Sequence, residues 1–281
     1  MGMVAYWPFD GNLQDPVGAH DGIGHGDAPI AFDAGQFGQG VDLDPALLQY
    51  VEAGAPESDF DMTGGSVSLS MWFRVDNFDV GWQALIAKGE GTNYRVARRG
   101  ETGTIAYAGG VGEPAQAAPD VNDGEIHHVV ALTRAGVQTE LWIDGVLYEV
   151  GLNPNIADDR GTHQPLLIGA NPDTDPLRYW NGLIDDVGVW SRALSPNEIA
   201  RLWNNGAGAA IGDLIGILQG PVITIVNNGD GTVTLEWAGG GVLEVATEIT
   251  GPWQVLEGAE SGTPIPMDPD EAAVFARVRQ D

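Results

Sequence analysis

From Ser66 to Val75 the chain alternates: Val67, Leu69, Met71 and Phe73 fall on one side, Ser66, Ser68, Ser70 and Trp72 on the other. A period of two marks a strand with one face in a core. Short segments of the same kind follow between turns: QALIAKG, NYRVARRG, GTIAYAGG, HHVVALTRAG, QTELWIDGVLYEVG, QPLLIGA and GLIDDVGVW. Asp144-Gly145 lies between two alternating runs and predicts a two-residue hairpin turn. Many short strands with regular turns predict two antiparallel sheets packed face to face, a sandwich or jelly roll. Trp7, Trp72, Trp142, Trp190 and Trp203 sit inside these patterns and read as core.

One segment has a helical period. Ser195 is placed to cap it, Pro196 to open it, and Glu198 to close a capping box. Ile199, Leu202 and Trp203 form its apolar stripe, and Gly206 is placed to stop it. The first domain therefore reads as residues 1–206. Residues 207–219 are rich in Gly and Ala and read as a linker. Residues 220–281 read as a small all-β domain, with a Gly-Asp-Gly turn inside PVITIVNNGDGTVTLEW. Its strands are short, so several sheet edges need the first domain or a partner to cover them.

Charge narrows the partners. The chain of 281 residues holds 40 acidic and 12 basic residues, a net charge of −28, with Lys88 its single lysine. Phosphate backbones and anionic lipid need clustered Lys and Arg, so nucleic acid is excluded as a partner. No apolar run is long enough to span a membrane, so no membrane insertion is expected, and no signal peptide is visible. The opening MGMVAYWPFD reads as a domain cut from a longer precursor, with Met1 and Gly2 added in cloning. There is no Cys, which removes disulfides, thiol catalysis and thiolate-bound metals.

Four segments, taken in order, carry a family resemblance: VAYWPFDGNLQDPVGAHDG, VSLSMWFRV, EIHHVVALTRAGVQTELWIDGVLY and GLIDDVGVWSRALSPNEI. Together they resemble the laminin-G-like, concanavalin-A-like jelly-roll modules of bacterial secreted proteins, a group similar to pentraxins. The resemblance covers residues 4–206 and implies a secreted or cell-surface setting. It also implies a structural Ca²⁺ and binding to glycans or to cell-surface proteins. The C-terminal segment is similar to short β tails that follow such modules.

Asp185 and Asp186 stand side by side in an apolar strand. Strict alternation puts Asp185 with Val187 and Val189, and Asp186 with Ile184, Gly188 and Trp190, so one carboxylate points to a buried side and needs a partner. Two readings stand open. In the first, following the family, Ca²⁺ binds Asp10 and Asp185 (with Asp186 beside it), helped by Asn12, Asp15 or a carbonyl near Gly11. In the second, Asp10 and Asn12 only form a turn, and the two aspartates are a hydrogen-bonded bulge. Asp158, Asp159, Asp173 and Asp175 are lesser metal candidates.

Glycoside hydrolases of this fold carry Glu-x-Asp-x-x-Glu on a strand, and that pattern is absent here; Glu140 and Asp144 come nearest. No Ser-elbow, zinc-protease or phosphate-loop motif is present. His127 and His128 point opposite ways, and His20 and His25 lack partner spacing for zinc. The expected class is a non-catalytic adhesion or carbohydrate-binding module. The alternative is an assembly subunit whose β tail docks on itself or on a parent enzyme. Trp82, Tyr94, Arg98, Tyr107 and Trp180 are the candidate ligand-binding side chains. Arg98 and its neighbours either meet an anionic glycan or offset nearby carboxylates.

Overall fold

The computed structural model describes residues 2–90, 93–113, 118–157, 164–218, 224–229, 232–237, 242–247, 252–256, 258–262, 264–266 and 275–279. Asp158 and Asp159 lie outside these. The chain divides into two compact units, Gly2–Ile211 and Gly212–Asp281.

Fourteen described strands build the first unit. They are β1 (Met3–Trp7), β2 (Ile23–His25), β3 (Ala31–Ala34), β4 (Gln39–Leu43), β5 (Tyr50–Glu52), β6 (Val67–Arg74) and β7 (Ala84–Ala87). The rest are β8 (Tyr94–Arg98), β9 (Ile105–Gly109), β10 (Ile126–Arg134), β11 (Gln138–Ile143), β12 (Val146–Leu152), β13 (Leu167–Ile168) and β14 (Gly182–Trp190). One sheet has the order β12-β11-β10-β6-β14-β4-β3, with β1 also on β14; the other runs β2-β5-β13-β7-β8-β9. The alternation of β6 holds: Val67, Leu69, Met71 and Phe73 join the core between the sheets. Asp144 and Gly145, at φ 50° and 74°, make the predicted hairpin turn.

The outer face of the larger sheet is also covered. The helix α1 (Pro196–Trp203) has the full capping box: Ser195 Oγ accepts from the Glu198 amide, and the Glu198 carboxylate accepts from the Ser195 amide. Ile199 and Leu202 are buried beneath it. Trp203 stacks on Trp72 at 5.7 Å and on His128 at 6.2 Å between ring centroids. Burial drives the His128 imidazole down to about 3, so it sits neutral, 3.0 Å from Ser70 Oγ. Ser195→Ala is expected to lower stability by about 1 kcal/mol, the usual worth of such a cap, read as a lower urea midpoint.

Three features depart from the sequence pattern. The helix ends at Asn204, in the left-handed region at φ 44°, and not at Gly206. Trp142 and Trp203 are half-buried, because both lie at the rim of the covered outer face. The 207–219 segment is not a plain linker: α2 (Ile211–Leu218) forms within it, since Ile211, Leu214, Ile215 and Leu218 recur at helical spacing.

In the second unit β15 (Thr224–Asn227), β16 (Thr232–Glu236), β17 (Val242–Ala246), β18 (Gln254–Val255), β19 (Pro264–Pro266) and β20 (Phe275–Arg279) form two three-stranded sheets. Leu235 and Leu243 are buried, and Ile225 and Val226 on the edge strand β15 are exposed.

Candidate functional site

The two adjacent aspartates occupy a handover point. The first half of β14 pairs with β4 and its second half with β1, on the same side. Between them the register with β6 shifts at Asp185–Gly188, and Asp186 takes φ 50°. This is a β-bulge, with one residue more on β14 than on its partner. It resets the alternation, so Asp185 does not share a face with Val187 and Val189: Ile184, Val187 and Val189 all reach the core. Each carboxylate then ties down neighbouring segments. Asp185 Oδ2 accepts from the Phe37 amide in the β3–β4 turn at 2.9 Å. Asp186 accepts from Tyr6 Oη on β1 at 2.6 Å and from the Ile211 amide at 3.0 Å.

The proposed metal residues separate. Asp10 grips the same β3–β4 turn as Asp185, accepting from the Gln39 amide at 2.9 Å. Gly38 is needed there: a Cβ would sit 1.9 Å from Asp10 Oδ1. Asn12 closes its own turn by accepting from the Gln14 amide at 2.9 Å. Asp15 is buried and takes the amides of Tyr6, Val17, Gly18 and His20, so its oxygens are already committed. Asp173 accepts from the Glu90 amide. No cluster of three or more His, Asp or Glu arranged for a metal exists among the described residues. Asp185 Oδ1, however, is buried with no hydrogen-bond partner. Burial, with Asp186 adjacent, pushes its carboxyl up to about 7 although backbone amides oppose this. Asp10 and Asp185 thus fit a hard cation in donor type, and Asp185 has an oxygen to give.

The candidate ligand residues are mostly turned inward. Tyr94, Tyr107 and Trp180 are wholly buried: strand parity aims the two tyrosines between the sheets, and Trp180 joins that core from the segment before β14. Their polar atoms are met there: Tyr94 Oη donates to Phe60 O at 2.7 Å, Tyr107 Oη lies 2.8 Å from Thr133 Oγ1, and Trp180 Nε1 donates to Arg74 O at 3.3 Å. Burial disfavours the phenolate and holds both tyrosines protonated, well above the ordinary phenol range. Arg98 also turns in, over the Phe78 ring at 4.9 Å, with Nε donating to Thr102 O. Trp82 alone is half-exposed, and Arg95 lies over its ring at 4.9 Å. The arginines of NYRVARRG offset carboxylates: Arg95 pairs with Glu90 and Glu113, Arg98 with Glu101, and Arg99 with Glu149. Lys88 is likewise enclosed, with Nζ 2.7 Å from Asp61 and 2.6 Å from Gln164 O.

The outer face of the smaller sheet presents a different aromatic group. His25 and Tyr50 are a direct cross-strand pair of β2 and β5, stacked at 4.6 Å and 6°. Tyr179 adds a third ring, 6.1 Å from Tyr50 and tilted by 39°. All three are partly exposed. Glu52, two residues beyond Tyr50 on the same face, stands 3.1 Å from His25 Nε2. Burial and then Glu52 and Tyr179 push the Tyr50 phenol above its ordinary pKa; burial and then Asp175 and Asp27 do the same to Tyr179. The sequence reading passed over these rings. Tyr179 belongs to the irregular segment before β14, where no strand period marks its facing.

A family model described as the concanavalin A-like lectin/glucanases superfamily matches residues 49–200. Among solved structures, domain 4 of AbnA, a GH43 extracellular arabinanase from Geobacillus stearothermophilus in complex with arabinotriose, is similar with TM-score 0.54 and 19% identity. That match covers 74% of this chain and 98% of that one. A structure of botulinum neurotoxin type C, whose cell entry depends on two ganglioside molecules, gives TM-score 0.54 at 10% identity over 87% of this chain and 65% of that one. A mutant Trypanosoma rangeli sialidase with trans-sialidase activity gives 0.52 at 16% over 74% and 34%. No curated protein matches in sequence. At these identities the likenesses establish a shared fold, one found in binding domains and in part of an enzyme alike.

Proposed function

This chain belongs to the concanavalin A-like lectin/glucanases superfamily, and from that premise we propose that it is a non-catalytic carbohydrate-binding or adhesion module of a secreted or cell-surface protein. The observation that carries the reading is the group of His25, Tyr50 and Tyr179 on the outer face of the smaller sheet. A sugar ring lays its C–H face on the tyrosines and offers its hydroxyls to Glu52 and His25, the combination of flat apolar surface and few polar groups that ligand sites use. The arabinotriose complex of the arabinanase domain supports the ligand class by analogy. Glu140, the nearest approach to a catalytic acid, does not suit that role. Burial opposes its ionisation, yet hydrogen bonds from Gln138, Trp142 and Arg134 hold its carboxyl below the ordinary value.

Tyr50→Ala and Tyr179→Ala should each weaken oligosaccharide binding roughly tenfold, about 1.4 kcal/mol. Thermal stability should change little, since both rings are partly exposed. Calorimetric titration checks this. Unchanged binding in both variants would remove the platform as the site.

The same module would hold one structural Ca²⁺ through Asp10 and Asp185, with the remaining ligands carbonyls or water. The buried, unpartnered Asp185 Oδ1 supports this reading. The ion would supply the positive charge that this carboxylate lacks.

A further inference from the structure

The charges around the platform are one-sided. Glu52 is one-third exposed beside His25, and the carboxylates of Asp27 and Asp175 act on the hydroxyl of Tyr179. Among the described residues, the arginines nearest these rings are already engaged. Arg178, next to Tyr179, has Nη1 3.0 Å from Glu90 Oε1. Arg95 is buried between Glu90 and Glu113. His25 becomes a cation only on protonation, and it already faces Glu52 at 3.1 Å. Recognition of a sugar carboxylate or sulfate needs an Arg or Lys fork that is open to the ligand. Among the described residues the three rings are bordered instead by carboxylates, on a chain of net charge −28.

We propose that the platform is selective by charge: it takes uncharged oligosaccharides and turns away glycans bearing carboxylate or sulfate groups. The proposal rests on reading the platform as the glycan site. An acidic sugar stacked on Tyr50 and Tyr179 would lie beside Glu52 and in the field of Asp27 and Asp175, which already acts on the Tyr179 hydroxyl; salt at 0.1 M leaves charges coupled over ~10 Å. Like charges at that range disfavour binding, and added salt relieves them.

The test titrates the full chain with neutral trisaccharides (arabinotriose, xylotriose, cellotriose) and with acidic ones (trigalacturonate, sialyllactose), at about 20 and about 300 mM salt. Expected is acidic binding at least tenfold weaker than neutral at low salt. The gap should narrow at high salt while neutral binding stays constant. Glu52→Gln combined with Asp27→Asn and Asp175→Asn should close the gap without salt. The salt series on the native chain stands even where that variant fails to fold. Acidic trisaccharides that bind as tightly as neutral ones, with binding lost in Tyr50→Ala, would overturn the charge rule and leave the platform in place. Binding of neither class would overturn the platform itself and the rule with it.

Discussion

Calcium should raise the melting temperature of the jelly-roll unit by several degrees at about pH 8, and the gain should shrink as pH falls through about 7. The cause is one carboxyl. Asp185 is wholly buried, with one oxygen on the Phe37 amide and the other without a partner. Its carboxyl ionises at 3.8 in the unfolded chain and near 7 in the folded one. Between those values the folded state holds a proton that the unfolded state has released. Stability from this group is therefore complete below about pH 4, falls as pH rises to about 7, and is level above. A difference of about three pH units corresponds to about 4 kcal/mol. A divalent ion reverses the sense, because it binds the carboxylate and competes with the proton. At 100 times its Kd the ion adds about 2.7 kcal/mol, which in a domain of this size is several degrees. Asp185→Asn removes the charge and keeps the shape. It should abolish the calcium response, flatten the pH dependence, and leave the ion-free protein at least as stable at about pH 8. A response that survives in Asp185→Asn, or none in the native chain, would assign the bulge a structural role alone.

Replacing Asp15 by Ala should destabilise the chain by about 4 kcal/mol or more without touching any calcium response. Four backbone amides converge on this buried carboxylate, those of Tyr6, Val17, Gly18 and His20, and His20 Nδ1 lies 3.2 Å from it. Each buried donor left without an acceptor costs about 1–3 kcal/mol, and water can recover only part. Asp15→Asn keeps one acceptor oxygen and should lose about half as much. The urea midpoint should fall at unchanged slope. A loss under about 1 kcal/mol would mean that the loop relaxes to satisfy itself.

These two residues show where the sequence could be read and where it could not. The strand β6, the Asp144-Gly145 turn and the Ser195–Glu198 capping box were legible, because each is fixed by neighbours within a few positions. Asp185 was not. The bulge at Asp185–Asp186 inserts one residue, so the facings that strict alternation gave Asp185 with Val187 and Val189, and Asp186 with Ile184, come out reversed. Asp15 looked like a metal ligand because an oxygen-rich turn for calcium and one for backbone amides share the same residue types. Tyr94 and Tyr107 were placed on strands correctly in kind but on the wrong side, since which face is core depends on the opposing sheet. The platform was hidden for a further reason: His25, Tyr50 and Tyr179 come from three separate parts of the chain and meet only through the β2–β5 pairing and the segment before β14.

The enclosure of Lys88 has a practical consequence. It is the chain's only lysine, fully buried, with its ammonium held between Asp61 and Gln164. The folded exterior therefore offers amine-directed reagents no side chain to modify. Acylation at Lys88 must wait for the segments carrying Asp61 and Gln164 to move away, so its rate, followed by mass spectrometry in native buffer, reports how often this part of the sandwich opens. The protein carries its own single-site gauge of unfolding.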